Sequence, residues 1–267
     1  MPRLALAGAT VLAVASLLGP VPPARALDAP PPAEGAPAAM GEVAAPPPAL
    51  ETVPAAVAAV LVDGLKGVQR AKSLEEAAPA FDALAGKTHP DLEPALGRLL
   101  AHAVAPIAVR AAALLGERAT PKSGATLWKA WLLPVNQRRY AVKGAMLRAW
   151  ARTGAPLDKR QYDEAEELWR LSQDGDAMEG FCEHFTVLRK DKRPCRLLAE
   201  WLDEPSPANV HDGSNPPEDW WRKRWALWRR TRARAIEALA AITGQTFDAT
   251  AQAKAWFEAN PGFGVRW

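Results

Sequence analysis

From Val53 onward the chain repeats one pattern, in which about a dozen residues with apolar side chains at helical spacing are followed by a turn. In the first of these segments the apolar residues are Val57, Val60, Leu61, Leu65 and Val68. No stretch alternates apolar and polar residues as a half-buried strand does. Because an amphipathic helix must bury its apolar stripe against a neighbour, the pattern predicts an all-α fold of antiparallel helix pairs.

Glycine, proline and capping residues mark the ends of the predicted helices. Ser73 is followed three positions later by Glu76, the spacing of a capping box, and Gly116 and Gly154 stand where helices end. Alanine and leucine supply much of the 49% hydrophobic content, and both favour helix over strand. The predicted helices span about 57–68, 73–84, 90–100, 107–116, 123–133, 136–153, 159–172, 177–189, 193–203, 218–243 and 250–260, and a proline-rich surface loop is predicted for 204–219.

The N-terminal residues have the three parts of a secretory signal peptide. A short positive start containing Arg3 precedes an apolar run over residues 4–19, and Ala24-Arg25-Ala26 matches the small-x-small cleavage pattern. This run of 16 residues is shorter than the ~20 that cross a bilayer as a helix. We therefore expect a signal peptide over 1–26, export to the periplasm or the extracellular space, and no transmembrane helix in the mature chain.

Proline and alanine dominate the residues that follow. Eleven of the 25 prolines lie between positions 20 and 54, and no apolar periodicity accompanies them. Such a composition cannot bury enough apolar surface to fold. It predicts a disordered Pro/Ala-rich spacer over 27–52, followed by one helical domain over 53–267.

Helix pairs that recur every ~35 to 45 residues are typical of solenoid repeats. Two segments resemble known repeat sequences, Pro90-Asp91-Leu92-x-Pro94-Ala95-Leu96 with Val109-Arg110-Ala111-Ala112-Ala113-Leu114, and the tail Ala238-Leu239-Ala240-Ala241-Ile242-Thr243-Gly244 with Ala255-Trp256-Phe257-Glu258-Ala259-Asn260. The first resembles a HEAT repeat and the second the closing segment of exported bacterial HEAT-like proteins. The resemblance implies a HEAT-like solenoid. Residues 123–217 share with such repeats only the regular alternation of helices and turns.

The stretch 220–234 combines four tryptophans with a high density of bases. Between residues 218 and 234 there are seven bases and two acids. On a helical wheel one face holds Trp221, Trp225, Trp228, Ala235, Ile236, Leu239 and Ile242, and the candidate residues for binding an anionic partner are Arg222, Lys223, Arg229, Arg230 and Arg234. The partner would be an anionic lipid or polysaccharide. The alternative is that the tryptophans pack into the domain while the bases reach water and pair with acids.

Charge and motif content argue against several other functions. Removing Arg3 and Arg25 from the 33 bases leaves 31 against 30 acids, so the mature chain carries about +1 and we expect no intracellular nucleic acid partner. None of the nucleophile-elbow, phosphate-loop or zinc-protease motifs occurs. Glu183-His184 and His211-Asp212 are the weak candidates for metal or acid–base chemistry, so we predict no catalytic residue, metal or cofactor.

The two cysteines, Cys182 and Cys195, admit two interpretations. In an exported protein they could form a disulfide. If a turn at Asp191 separates two helices, however, the two positions are offset by roughly 7 Å along the helix axis, and the alternative is two separately buried thiols.

Together these features predict a non-catalytic protein-binding or scaffold module of the cell envelope. The protein partner is not identified by the sequence. A first rival hypothesis is association with anionic lipid or polymer through the basic helix, and a second is an enzyme whose pocket the sequence does not reveal.

Overall fold

The computed structural model describes residues 49–206, 213 and 215–267. The predicted signal peptide, the spacer up to residue 48 and most of the tip of the 204–219 loop lie outside these residues. The helices are α1 (Ala55–Val68), α2 (Leu74–Asp82), α3 (Leu92–Leu99), α4 (Ala105–Arg118), α5 (Pro121–Trp131), α6 (Tyr140–Arg152), α7 (Lys159–Leu171), α8 (Gly175–Val187), α9 (Cys195–Glu200), α10 (Glu218–Thr243) and α11 (Thr250–Ala259). Two short 3-10 helices cover Pro134–Asn136 and Pro261–Phe263. The prediction of an all-α fold is confirmed.

Local capping explains where several helices begin. The Ser73 hydroxyl accepts a hydrogen bond from the Glu76 backbone N–H over 3.3 Å at the start of α2. A full capping box joins Asp158 and Gln161 at the start of α7. Such caps satisfy backbone N–H groups that have no partner within the helix. Local sequence therefore determines where α2 and α7 begin, whereas α4 continues to Arg118, past the Gly116 expected to end it.

One short parallel strand pair is present that the sequence pattern does not predict. Glu51–Thr52 forms β1 and pairs with Lys87–Thr88, which forms β2. The Glu51 N–H donates to the Gly86 carbonyl over 2.8 Å, and the Val53 N–H donates to the Thr88 carbonyl over 3.1 Å. Two residues are too few to show an alternating pattern. Residues 51–52, expected to belong to the spacer, are thus hydrogen-bonded to the turn between α2 and α3.

Each helix packs against the next one along the chain or against the one after it. The even-numbered helices α2, α4, α6, α8 and α10 lie side by side in chain order, and α1, α3 and α5 do the same. The row of even-numbered helices forms the most extensive contacts and contains much of the core. Buried alanines face one another along it, which lets the helix backbones approach closely.

Glycines mark the closest approaches in this row. A Cβ atom added at Gly144 of α6 would lie 2.7 Å from the Cα atom of Ala177 in α8. One added at Gly116 of α4 would lie 2.7 Å from the Cα atom of Ala149 in α6. Because these distances are shorter than any van der Waals contact, a side chain at either position would force the helices apart. The spacing of the row therefore depends on glycine.

Candidate functional site

Helix α10 is rotated relative to the face predicted from its tryptophans. Its buried residues are Arg224, Leu227, Thr231, Ala235, Ala238, Leu239 and Ile242. Trp221, Trp225 and Trp228 lie beside this face and are only half-buried. The predicted face is therefore wrong in the N-terminal half of the helix, where a charged and a hydroxyl side chain occupy the centre of the interface.

Hydrogen bonding by the indole N–H groups favours this arrangement. Trp225 Nε1 donates to the carbonyl of Pro205 over 2.7 Å, and Trp228 Nε1 donates to the carbonyl of Trp201 over 2.9 Å. A half-buried tryptophan can place its ring against apolar surface while its N–H reaches a backbone acceptor. The tryptophans thus tie α10 to the segment that follows α9.

Arg224 is the charged residue at the centre of this interface. Its side chain is 8% exposed, and its Nη1 atom donates to the carbonyl of Ser172 over 3.2 Å. Its guanidinium carbon lies 4.2 Å from the centre of the Trp201 ring. Burial disfavours the charged form and lowers the pKa of Arg224 to about 10. Sequence reasoning counted this residue only among the seven bases, although its spacing of three from Leu227 and seven from Thr231 places it on their face.

Trp201 is held from two directions. Its Nε1 atom donates to the Thr231 hydroxyl over 2.9 Å, and that hydroxyl donates to the Leu227 carbonyl over 2.8 Å. Its ring also packs edge-on against Trp169, with 5.4 Å between the ring centres. The orientation of the Trp201 ring, and with it the position of Arg224, is therefore fixed by neighbours on α7 and α10.

A cleft of about 490 Å³ opens beside Arg224, between α7, α9 and the start of α10. We call it the tryptophan cleft. Its aromatic walls are Trp169, Trp201, Trp220 and Trp221, and its charged residues are Arg170, Arg224, Glu200, Asp203 and Glu204. The Nε1 atom of Trp221 is buried and has no hydrogen-bond acceptor among the described residues. The cleft thus combines aromatic walls, of which Trp201 is fixed, with one indole N–H that has no acceptor among the described residues.

Three of the five candidate bases on α10 are paired with acids. Arg222 donates to Asp219 over 2.8 Å and lies 3.4 Å from Glu218. Arg234 donates to Glu237 over 2.8 Å, and this hydrogen bond raises the pKa of Arg234.

Arg230 crosses from α10 to α8. It donates to Glu179 over 2.8 Å and to Asp176 over 2.5 Å, and these hydrogen bonds raise its pKa. The guanidinium lies directly over Gly175, where an added Cβ atom would be 2.5 Å from the Arg230 Cζ atom. Arg148 of α6 extends the network, since its Nη2 atom is 3.8 Å from Glu179.

The remaining two candidate bases, Lys223 and Arg229, are exposed. Neither forms an ion pair or a side-chain hydrogen bond within the part of the chain that the structure describes. The five residues therefore do not form one surface of free cations. Within the described residues two of them are unpaired, and three form ion pairs with neighbouring carboxylates.

Of the residues considered for metal or acid–base chemistry, the structure describes Glu183 and His184. His184 is fully buried, and its Nδ1 atom is 3.0 Å from the carbonyl of Leu147, whereas its Nε2 atom has no hydrogen-bond partner among the described residues. Burial lowers the pKa of His184 to about 4, so this side chain is neutral at pH 7. His211 and Asp212 lie outside the described residues. Within those residues, no three histidine, cysteine or acidic side chains are grouped as metal ligands would be.

Cys182 and Cys195 are both buried, free thiols in the structure. Burial raises the pKa of Cys182, and it raises the pKa of Cys195 to about 12. A thiol with a raised pKa is a poor nucleophile because the thiolate is the reactive form.

Among the helices of the described part, none is both long enough and apolar enough to span a membrane. Comparisons with protein-family models, with the sequences of curated proteins and with solved structures find no match for this chain. A functional proposal therefore rests on the geometry of the fold, the tryptophan cleft and the charged surface.

Proposed function

We propose that this protein is a non-catalytic protein-binding or scaffold module of the cell envelope, exported through its N-terminal signal peptide and built from HEAT-like helix pairs. The proposal rests chiefly on the tryptophan cleft. Residues that contribute most to protein–protein binding energy are enriched in tryptophan and arginine and cluster in well-packed pockets. The cleft presents both residue types beside one another.

The rigidity of the cleft supports a binding role. Trp201 is held by the Thr231 hydroxyl, and Arg224 stacks on its ring. Trp220 and Trp221 meet edge to face, with 4.7 Å between their ring centres. Groups that are already ordered lose little conformational entropy when a partner binds. The stacking of α2, α4, α6, α8 and α10 in chain order supports a HEAT-like arrangement, whose repeats present extended surfaces.

The proposal can be tested by capture from envelope extract at low and high salt, using the protein without residues 1–26. A protein partner retained at high salt on the native chain, and lost when Trp220 is replaced by alanine, would support the proposal. The control is the double variant Lys223→Gln/Arg229→Gln, which removes exposed charge and leaves the cleft intact. Retention of the same partner by the Trp220→Ala variant would show that the tryptophan cleft is not the binding site.

A second candidate function is binding of anionic lipid or polysaccharide through the bases of α10. The exposed and unpaired state of Lys223 and Arg229 favours it, whereas the ion pairs of Arg222, Arg230 and Arg234 count against a five-cation surface. Binding to anionic vesicles should be measured for the native chain, for Lys223→Gln/Arg229→Gln and for the variant with all five bases replaced by glutamine. Salt-sensitive binding that the double variant largely abolishes would support this function, and unchanged binding in the fivefold variant would exclude it.

A further inference from the structure

A second basic surface lies where the turn after α8 meets the C-terminal residues. A cleft of about 480 Å³ is formed there by residues 190–193, 196 and 264–266, and we call it the tail cleft. Five of these eight lining residues are basic: Lys190, Lys192, Arg193, Arg196 and Arg266. Sequence analysis did not single out this surface, because Arg266 is distant in sequence from the other four.

The one acid in the tail cleft is already neutralised. Arg193 donates to both carboxylate oxygens of Asp191, with distances of 2.5 Å from Nη2 to Oδ2 and 2.9 Å from Nε to Oδ1. The same guanidinium donates to the carbonyl of Leu157 over 2.7 Å, so this pair also anchors the turn to the chain preceding α7. Asp191 and Arg193 together contribute no net charge to the cleft.

Three cations of the cleft have no carboxylate partner. Arg196 pairs with Glu200 over 2.8 Å and is compensated. Lys190, Lys192 and Arg266 form no ion pair within the described residues. Counting side chains, the cleft therefore carries about three positive charges without a carboxylate partner, an arrangement whose mutual repulsion an anion would relieve.

Packing contacts hold Lys192 and Arg196 in the tail cleft. The Nζ atom of Lys192 donates to the carbonyl of Phe263 over 2.9 Å and lies 4.1 Å from the centre of its ring. On the other side, the Arg196 guanidinium lies 5.8 Å from the centre of the Trp267 ring. These contacts join the turn to the C-terminal residues on both sides of Arg266. Lys192 and Arg196 are thus already ordered before any ligand arrives, which lowers the entropic cost of binding.

We propose that the tail cleft binds the phosphate group of a phosphomonoester. A carboxylate carries one charge, whereas a phosphomonoester carries close to two at neutral pH and offers three acceptor oxygens. Lysine ammonium groups and an arginine fork together match this charge and geometry. The ligand is either a soluble phosphate compound or a lipid whose headgroup is a phosphomonoester. The site is separate from α10 and does not depend on the tryptophan cleft.

Calorimetry with inorganic phosphate and co-sedimentation with phosphatidic acid vesicles test the proposal, both against chloride at matched ionic strength. In the variant Lys190→Gln/Lys192→Gln/Arg266→Gln, we expect binding of at least one probe to weaken about tenfold or more. The control Arg70→Gln/Lys122→Gln/Lys129→Gln removes three exposed bases that form no ion pair within the described residues and lie outside both the tail cleft and α10, and it should change binding less than about twofold.

Lys192 also fixes the C-terminal residues, so a second variant, Lys190→Gln/Arg266→Gln, separates charge from packing by leaving the Lys192 contact with Phe263 intact. A loss of phosphate binding in this variant identifies a soluble ligand, and a loss confined to vesicles identifies a lipid headgroup. Absence of binding to both probes, or an equal loss in the control variant, would overturn the proposal.

Discussion

The guanidinium carbon of Arg224 lies 4.2 Å above the centre of the Trp201 ring, within an interface from which water is largely excluded. Its Nη1 atom reaches the carbonyl of Ser172, so the cation is both stacked and hydrogen-bonded. A buried charge is tolerated only when its surroundings replace the lost water in this way. This pair therefore links the stability of the α9–α10 contact to the shape of the tryptophan cleft.

Replacing Arg224 by alanine should lower the free energy of unfolding by about 2 to 4 kcal/mol, because a desolvated cation–π contact and a charged hydrogen bond are lost together. Urea denaturation measures the change. The matched control is Arg229→Ala on the exposed side of the same helix, expected within about 0.5 kcal/mol of the native chain. Equal effects of the two substitutions would show that Arg224 contributes no more than a surface residue.

Two glycine substitutions should have opposite effects on stability, because one glycine lies in the close α8–α6 contact and the other has open space around it. A Cβ atom at Gly180 would lie 2.7 Å from the Cα atom of Gly144, so Gly180→Ala should destabilise the protein by about 2 to 3 kcal/mol. Gly67 of α1 has no atom within 4 Å of the added Cβ, and Gly67→Ala should stabilise by about 0.5 kcal/mol through helix propensity. Thermal and urea unfolding of both variants check the pair. A neutral Gly180→Ala would indicate a wider helix spacing.

His184 should make stability depend on pH below neutrality. Its pKa is about 4 in the folded protein, whereas an unperturbed histidine side chain has a pKa of 6.5. Between these pH values the unfolded chain binds a proton at this side chain and the folded chain does not. Stability is therefore lost as the pH falls through this window, by about 2 kcal/mol between pH 7 and pH 5.

The comparison that isolates this effect is His184→Gln, in which the titrating group is gone. Urea unfolding at pH 7 and pH 5 should show a smaller pH-dependent loss in the variant than in the native chain. An identical loss in both proteins would show that other groups account for the dependence.

Both cysteines should react with a thiol reagent only after unfolding. Cys182 and Cys195 are buried and have raised pKa values, so the native protein should react slowly with Ellman's reagent. The denatured protein should release two equivalents of thionitrobenzoate per chain, one for each thiol. Thermal stability should be the same with and without reductant. A mature protein lighter by two hydrogen atoms, with stability that falls on reduction, would show that a disulfide forms instead.

Much of the helical architecture was predictable from local sequence. The helix predicted over 218–243 is Glu218–Thr243 in the structure, and the turn after it contains Gly244 at a φ of 71°. The helix predicted over 107–116 is longer, at Ala105–Arg118. Capping groups and glycine C-caps act within a few residues, so their effect is visible in the sequence. The β1–β2 pair was not visible, because its two strands are separated by the whole of α1 and α2.

Helix content, the ends of some helices and the presence of a basic tryptophan-rich helix were determined by the sequence alone, because they depend on residues three or four positions apart. The ion pairs of Arg222 and Arg234 on that helix are also local, since their acids lie three or four positions away. The surroundings of Arg230 and Arg224 were decided by the tertiary structure. Arg230 is neutralised by Asp176, 54 residues away, and Arg224 is buried against Ser172, 52 residues away. A helical wheel assigns faces by apolar content, whereas the final orientation of α10 also had to satisfy indole and guanidinium hydrogen bonds with partners that only folding brings near.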